Sequence, residues 1–136
     1  MIWVLITSFL WSSVSGISEY HRIRDRQLFA DGNIEYRWHG EQWHKLEFID
    51  AGLAIGTGVA ITLDGINENS LLIGIADVLV VSAVRWNVRD GVYNMKNGNS
   101  FYYRSDGTTS SIEQLGTPLI KIGYLIITLV MRWFLV

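Results

Sequence analysis

The groups best suited to chemistry in this 136-residue chain are three histidines and the carboxylates spaced around them. His44, Glu47 and Asp50 recur every three residues, which places them on one face of a helix. Asp90 and Asn94 stand one helical turn apart, and Glu19, His21 and Asp25 cluster where the first apolar stretch ends. Imidazoles and carboxylates projecting from several helices are how helical bundles hold metal ions. His21, His44, Glu47, Asp90 and Asn94 are therefore the candidate polar cluster. The sharp reading is a divalent metal and interfacial chemistry on lipid. The plainer reading is that these groups meet water and headgroups where helices leave a bilayer, and it is the one adopted, with no cofactor expected. The chain has no HExxH run and no nucleophile elbow. It also has no cysteine, which excludes thiol catalysis, Cys-type zinc sites and disulfide scaffolds.

Two further sets stand out. Asp77 lies inside an apolar run, where an ionisable group is costly and marks a polar contact or a path. Its nearest basic partner along the same helix is Arg85, two turns on, with water or Arg132 as the alternatives. Arg22, Arg24, Arg26, Arg85 and Arg89 gather near apolar ends and are candidate contacts for anionic lipid headgroups. The formal net charge of −2 argues against a nucleic-acid partner held by bulk electrostatics.

The elements that must position these residues are apolar. Hydrophobic residues make up 49% of the chain and charged residues only 18%, below the roughly 25% of soluble domains. Mean hydropathy is only +0.22, so order along the chain has to decide between a soluble domain and a membrane protein. Four blocks decide it: 1–17, 46–63, 71–84 and 118–136. A bilayer-crossing helix takes about 20 mostly apolar residues. The blocks lack the polar stripe of a surface helix, and 136 residues cannot cover four buried helices. The reading is an all-α, four-helix transmembrane bundle forming one integral membrane domain over 1–136. Its spans are placed at about 2–18, 46–64, 70–88 and 118–136.

Charge supports this reading and orients it. Arg22, Arg24, Arg26, Arg37 and Lys45 fall between blocks one and two. Arg85, Arg89, Lys96, Arg104 and Lys121 fall between block three and the body of block four. The connection between blocks two and three carries no basic residue. The positive-inside rule puts the two basic connections in the cytoplasm and both termini outside. Block one has no basic residue ahead of it, so it reads as a retained span and not a cleaved signal peptide.

The loops carry local signals. Asp31-Gly32-Asn33 is a turn, after which a helix from about Ile34 enters the membrane near Leu46. Gly52, Gly56 and Ala60 repeat every four residues, a spacing that permits close helix packing or a homo-oligomer. Asn97-Gly98 and Asp106-Gly107 flank Phe101-Tyr102-Tyr103, which suggests a hairpin or compact interfacial loop. Ser110 and Glu113 form a capping box, and Thr117-Pro118 suits the start of the last helix.

The run Arg89-Asp90-Gly91-Val92-Tyr93-Asn94, then Gly98, Phe101-Tyr102-Tyr103, Gly107-Thr108 and Ile112, resembles a group of small polytopic membrane proteins of bacterial and bacteriophage genomes. Their pattern is an Asp and Asn four residues apart, a Gly, an aromatic run and Gly-Thr before the final helix. His21, His44 and Glu47 match its earlier part, while Glu113 stands where the pattern has Asp. The resemblance implies a membrane location and a phage setting, and carries no activity. The function expected is thus an envelope accessory or assembly protein contacting anionic lipid. The alternatives are a metal-dependent interfacial enzyme and a holin-like pore.

Overall fold

The computed structural model describes residues 1–103 and 116–135. Over these it is helical, with no strand. The helices are α1 (Ile2–Ala30), α2 (Tyr36–Asn67), α3 (Leu71–Lys96) and α4 (Pro118–Phe134). The all-α bundle expected from the sequence is therefore present. Helices α1, α2 and α3 are long and apolar enough to cross a membrane. The 17 residues of α4 place it at the short end of the spanning range.

Three helices outrun their expected spans, α3 by continuing past 88 to Lys96. The 29 residues of α1 extend about 44 Å at 1.5 Å per residue, well past a hydrocarbon core of about 30 Å. The charged run after Ser18 continues the helix, supported by the Arg22–Glu19 pair at 2.6 Å one turn apart. Helix α2 begins at Tyr36, ten residues before the apolar block at Leu46. The turn between them uses Gly32 at φ +69, a left-handed conformation that favours glycine. Asn33 Oδ1 there accepts the Glu35 backbone N–H at 3.0 Å. Side chains also cap the starts of the other two helices. Ser70 Oγ accepts the Ile73 N–H at 3.4 Å, and Thr117 Oγ1 accepts the Ile120 N–H at 3.3 Å ahead of Pro118.

The packing has α1 between α2 and α3, with α4 against α3. The centre of the bundle is made of small and polar residues. Val4, Ser8, Ser12, Ser15 and Gly16 of α1 are buried, as are Ala76, Asp77, Val80, Ala83, Val84 and Asn87 of α3. A Cβ at Gly16 would run into the carbonyl oxygen of Arg89, so glycine lets the α1 and α3 backbones meet there. The large apolar residues point the other way: Phe48 is 88% exposed, and Leu71, Leu119 and Phe134 are each above 80%. Polar inside and apolar outside is the arrangement a lipid solvent selects.

The link after α3 turns at Gly98 and folds Phe101 back onto Gly91, where the ring occupies the space a Cβ would need. No strand forms through Tyr103, and the described part of the segment is a turn packed against α3. Asp106-Gly107, Gly107-Thr108 and the Ser110–Glu113 capping box lie outside the described residues.

Candidate functional site

Charged and polar side chains are distributed along the bundle in separate groups, each joining two or more helices. At the Asn67 end, Arg132 of α4 is 2% exposed and Asp77 of α3 is 0% exposed. Arg132 Nε donates to Asp77 Oδ1 at 2.7 Å, and its Nη2 donates to Asp64 Oδ2 of α2 at 2.6 Å. The Met1 amino group donates to the other Asp64 oxygen at 2.6 Å. Asp77 Oδ2 and Arg132 Nη1 have no partner among the described residues. A cavity of about 390 Å³ adjoins Arg132, lined also by Met1, Glu68 and Trp133. Asp77 is thus answered by Arg132, and the same-helix partner Arg85 is set aside. Antiparallel neighbours explain this, since Asp77 lies near the start of α3 and Arg132 near the end of α4.

Half-way along, Arg85 turns inward. Its guanidinium lies 3.9 Å from the centroid of the Trp11 ring, and its Nη1 donates to Ser15 Oγ at 3.0 Å. Ser15 in turn donates to Asp50 Oδ1 of α2. Arg85 is therefore a bundle residue, which corrects its expected role at lipid headgroups. Further along α1, Glu19 pairs with Arg22 at 2.6 Å and faces Arg89 of α3 at 3.6 Å. The Glu19 hydrogen bond raises the Arg22 pKa above its ordinary value. Arg24 and Arg26 are exposed and make no ion pair with described residues.

The five candidate metal residues do not meet. His44 and Glu47 are 3.8 Å apart on the outer face of α2, both more than 60% exposed. Asp90 binds Lys121 Nζ of α4 at 2.6 Å. Asn94 donates to the carbonyls of Phe101 at 3.1 Å and Tyr103 at 2.9 Å, a purely local role that fastens the loop to α3. Among the described residues no three histidines or carboxylates gather as metal ligands.

His21 instead meets His39. Their Nδ1 atoms lie 2.9 Å apart, and both residues are buried. Tyr20 places its ring edge-on to both imidazoles, and Trp38 closes the group. Both histidines lie beyond the apolar blocks, on the projecting ends of α1 and α2. Burial pushes both pKa values below the ordinary histidine value. The His39 and Lys96 charges depress His21 further; Arg24 depresses His39, and Glu35 and Asp25 oppose that.

Register explains why His39 was missed. Met1 beside Asp64, Ser15 beside Asp50 and Asp25 against Gly40 define one antiparallel alignment of α1 and α2. That alignment puts His21 level with His44, the residue that the spacing favours. His44 points outward, however, and the inward stripe of α2 runs through His39, Asp50, Thr57 and Asp64 in steps of eleven, seven and seven. That stripe is visible in the sequence once Asp50 and Asp64 are treated as inward-facing. Gly52 and Gly56 of the small-residue row seat no neighbour among the described residues, since a Cβ at either would meet nothing within 4 Å, while Ala60 is half-buried.

These groups join helices, and no nucleophile with an activating base appears among them. Comparison with family models, with curated proteins and with solved structures finds no match.

Proposed function

We propose that this chain is a small four-span membrane protein acting as an accessory or assembly component of an envelope. In this reading it performs no chemistry of its own, and it contacts anionic lipid through its cytoplasmic face. One observation carries the proposal: ion pairs close inward between helices while Phe48, Leu71, Leu119 and Phe134 face outward. A soluble bundle of this size would be destabilised by that inversion. The four-span orientation follows from the basic connections, and the loop resemblance adds a phage or bacterial setting.

The lipid contact belongs to Arg24 and Arg26 in this reading. They are exposed on the α1 extension, whereas Arg22 and Arg89 are engaged by Glu19. A basic residue near an anionic surface contributes about 1 kcal/mol, so two give up to roughly a thirtyfold preference. The Gly52, Gly56 and Ala60 row, with open space beside Gly52 and Gly56, is the surface on which copies would pack.

The test uses the protein in nanodiscs holding brominated phosphatidylglycerol or brominated phosphatidylcholine at equal density. Tryptophan quenching is expected to be stronger with the anionic lipid, and the difference to vanish in an Arg24→Gln/Arg26→Gln variant. Equal quenching by both lipids in the wild type removes the lipid role. Recovery of the protein in the soluble fraction without detergent removes the membrane reading altogether.

A further inference from the structure

The His21–His39 contact is unusual in what it lacks. A buried histidine ordinarily hands its Nδ1–H to a carbonyl or a carboxylate. Here the only hydrogen-bond partner either ring has among the described residues is the Nδ1 of the other. One nitrogen must carry a proton and the other must not, so a single hydrogen bond uses two groups that are each able to bind a metal. The rings come from two different helices and are tilted by 42°, with centroids 5.0 Å apart.

We propose that His21 and His39 form a two-imidazole site for a borderline divalent transition metal, Zn²⁺ foremost, which staples the projecting end of α1 to α2. The geometry is close to what such an ion needs. Zn–N bonds of about 2.0–2.1 Å at the tetrahedral angle hold two nitrogens roughly 3.3 Å apart. The observed separation is 2.9 Å. An opening of about 0.4 Å replaces the shared proton with the ion. Bound Zn²⁺ takes the place of that proton, which passes through solvent to the Nε2 of the same ring; both Nδ1 atoms then ligate as neutral donors, each ring keeps one proton on Nε2, and no net proton is released.

The surroundings carry both signs: Lys96 and Arg24 act on the pair, and Glu35 and Asp25 oppose them. Asp25, one turn beyond His21, lies with its carboxylate against the backbone of Gly40, the residue after His39. It brings negative charge to this end of the pair. Burial also favours the neutral form of both imidazoles, the form that ligates. Water completes the coordination. Imidazole donors suit zinc, copper and nickel and exclude calcium and magnesium. The site is distinct from the His44–Glu47 pair, whose two side chains are solvated and belong to one helix.

The experiment takes the full-length, tag-free protein in detergent, strips it with chelator, equilibrates it with Zn²⁺ and desalts it. Elemental analysis is expected to find one zinc per chain in the wild type and in His44→Ala. His21→Asn and His39→Asn, which keep a polar side chain, are each expected to bind at least tenfold more weakly. Circular dichroism and elution volume establish that those variants fold. A second measurement needs no variant. In protein carrying ¹⁵N-histidine, Zn²⁺ is expected to shift the Nδ1 resonances of two of the three histidines. No zinc in the wild type, unchanged zinc in both asparagine variants, or a shift confined to one histidine overturns the site.

Discussion

Replacing Arg132 by Leu tests the buried ion pairs most directly. The structure makes the penalties of the two ends unequal. Without Arg132, Asp77 has no basic partner left among the described residues and is 0% exposed, whereas Asp64 keeps the Met1 amino group and is 16% exposed. One carboxylate is stranded, and stranding a buried charge costs about 3–5 kcal/mol. Asp77→Leu is milder, because Arg132 retains Asp64 at 2.6 Å. It removes one charge-assisted hydrogen bond, worth about 1.5–3 kcal/mol. The double variant Asp77→Leu/Arg132→Leu replaces the pair with apolar volume. It is expected within about 1 kcal/mol of the wild type, since such exchanges are often neutral. The cycle should therefore show a coupling of about 3 kcal/mol or more, at the upper end for contacting residues. Unfolding in mixed micelles, followed by circular dichroism against the mole fraction of dodecyl sulfate, measures all four free energies. Equal losses in the two single variants, or a double variant equal to their sum, would refute the argument.

Three other expectations follow from the packing and the topology. Gly91→Ala drives a methyl into the Phe101 ring and should cost about 1–3 kcal/mol in the same assay, with most of the loss recovered when Phe101→Ala is added. Asn94→Ala removes both donors that hold the Phe101 and Tyr103 carbonyls, so the 99–103 turn should be cleaved several-fold faster by chymotrypsin while α-helical content is unchanged. Because the native chain lacks cysteine, single cysteines report sidedness cleanly. Asn33→Cys is expected to label from the cytoplasm and Asn67→Cys from outside, and the reverse pattern overturns the orientation.

What could be read in advance was whatever depends on neighbours along the chain. Apolar block length marked all four helices, Thr117-Pro118 marked the start of α4, and Asp31-Gly32-Asn33 marked the first turn. The continuation of α1 to Ala30 was less visible, because a charged run after an apolar one looks like a loop until Arg22 is seen to reach back to Glu19. The polar contacts depend on facing, which spacing within one helix does not determine. His44 was at the right level on the wrong side. Arg85 shares a helix with Asp77 but rests against Trp11 and Ser15 instead. Asp90 and Asn94 share a helix face, yet one reaches across to Lys121 while the other fastens the local turn. Treating the acids of α2 as inward-facing would have exposed the Asp50 and Asp64 contacts.

The Asp77–Arg132 pair also imposes an order in time. The two residues are 55 positions apart in the chain. At about 5–20 residues per second, Asp77 emerges from the ribosome some 3–11 seconds before the guanidinium that neutralises it. On the four-span reading, α3 reaches the membrane carrying an acid that no lipid can accommodate. It must then stay at the insertion machinery, or leave Asp77 in contact with water, until α4 arrives. Insertion of the third and fourth helices becomes one coupled event, and a chain truncated before Arg132 would release α3 half-inserted.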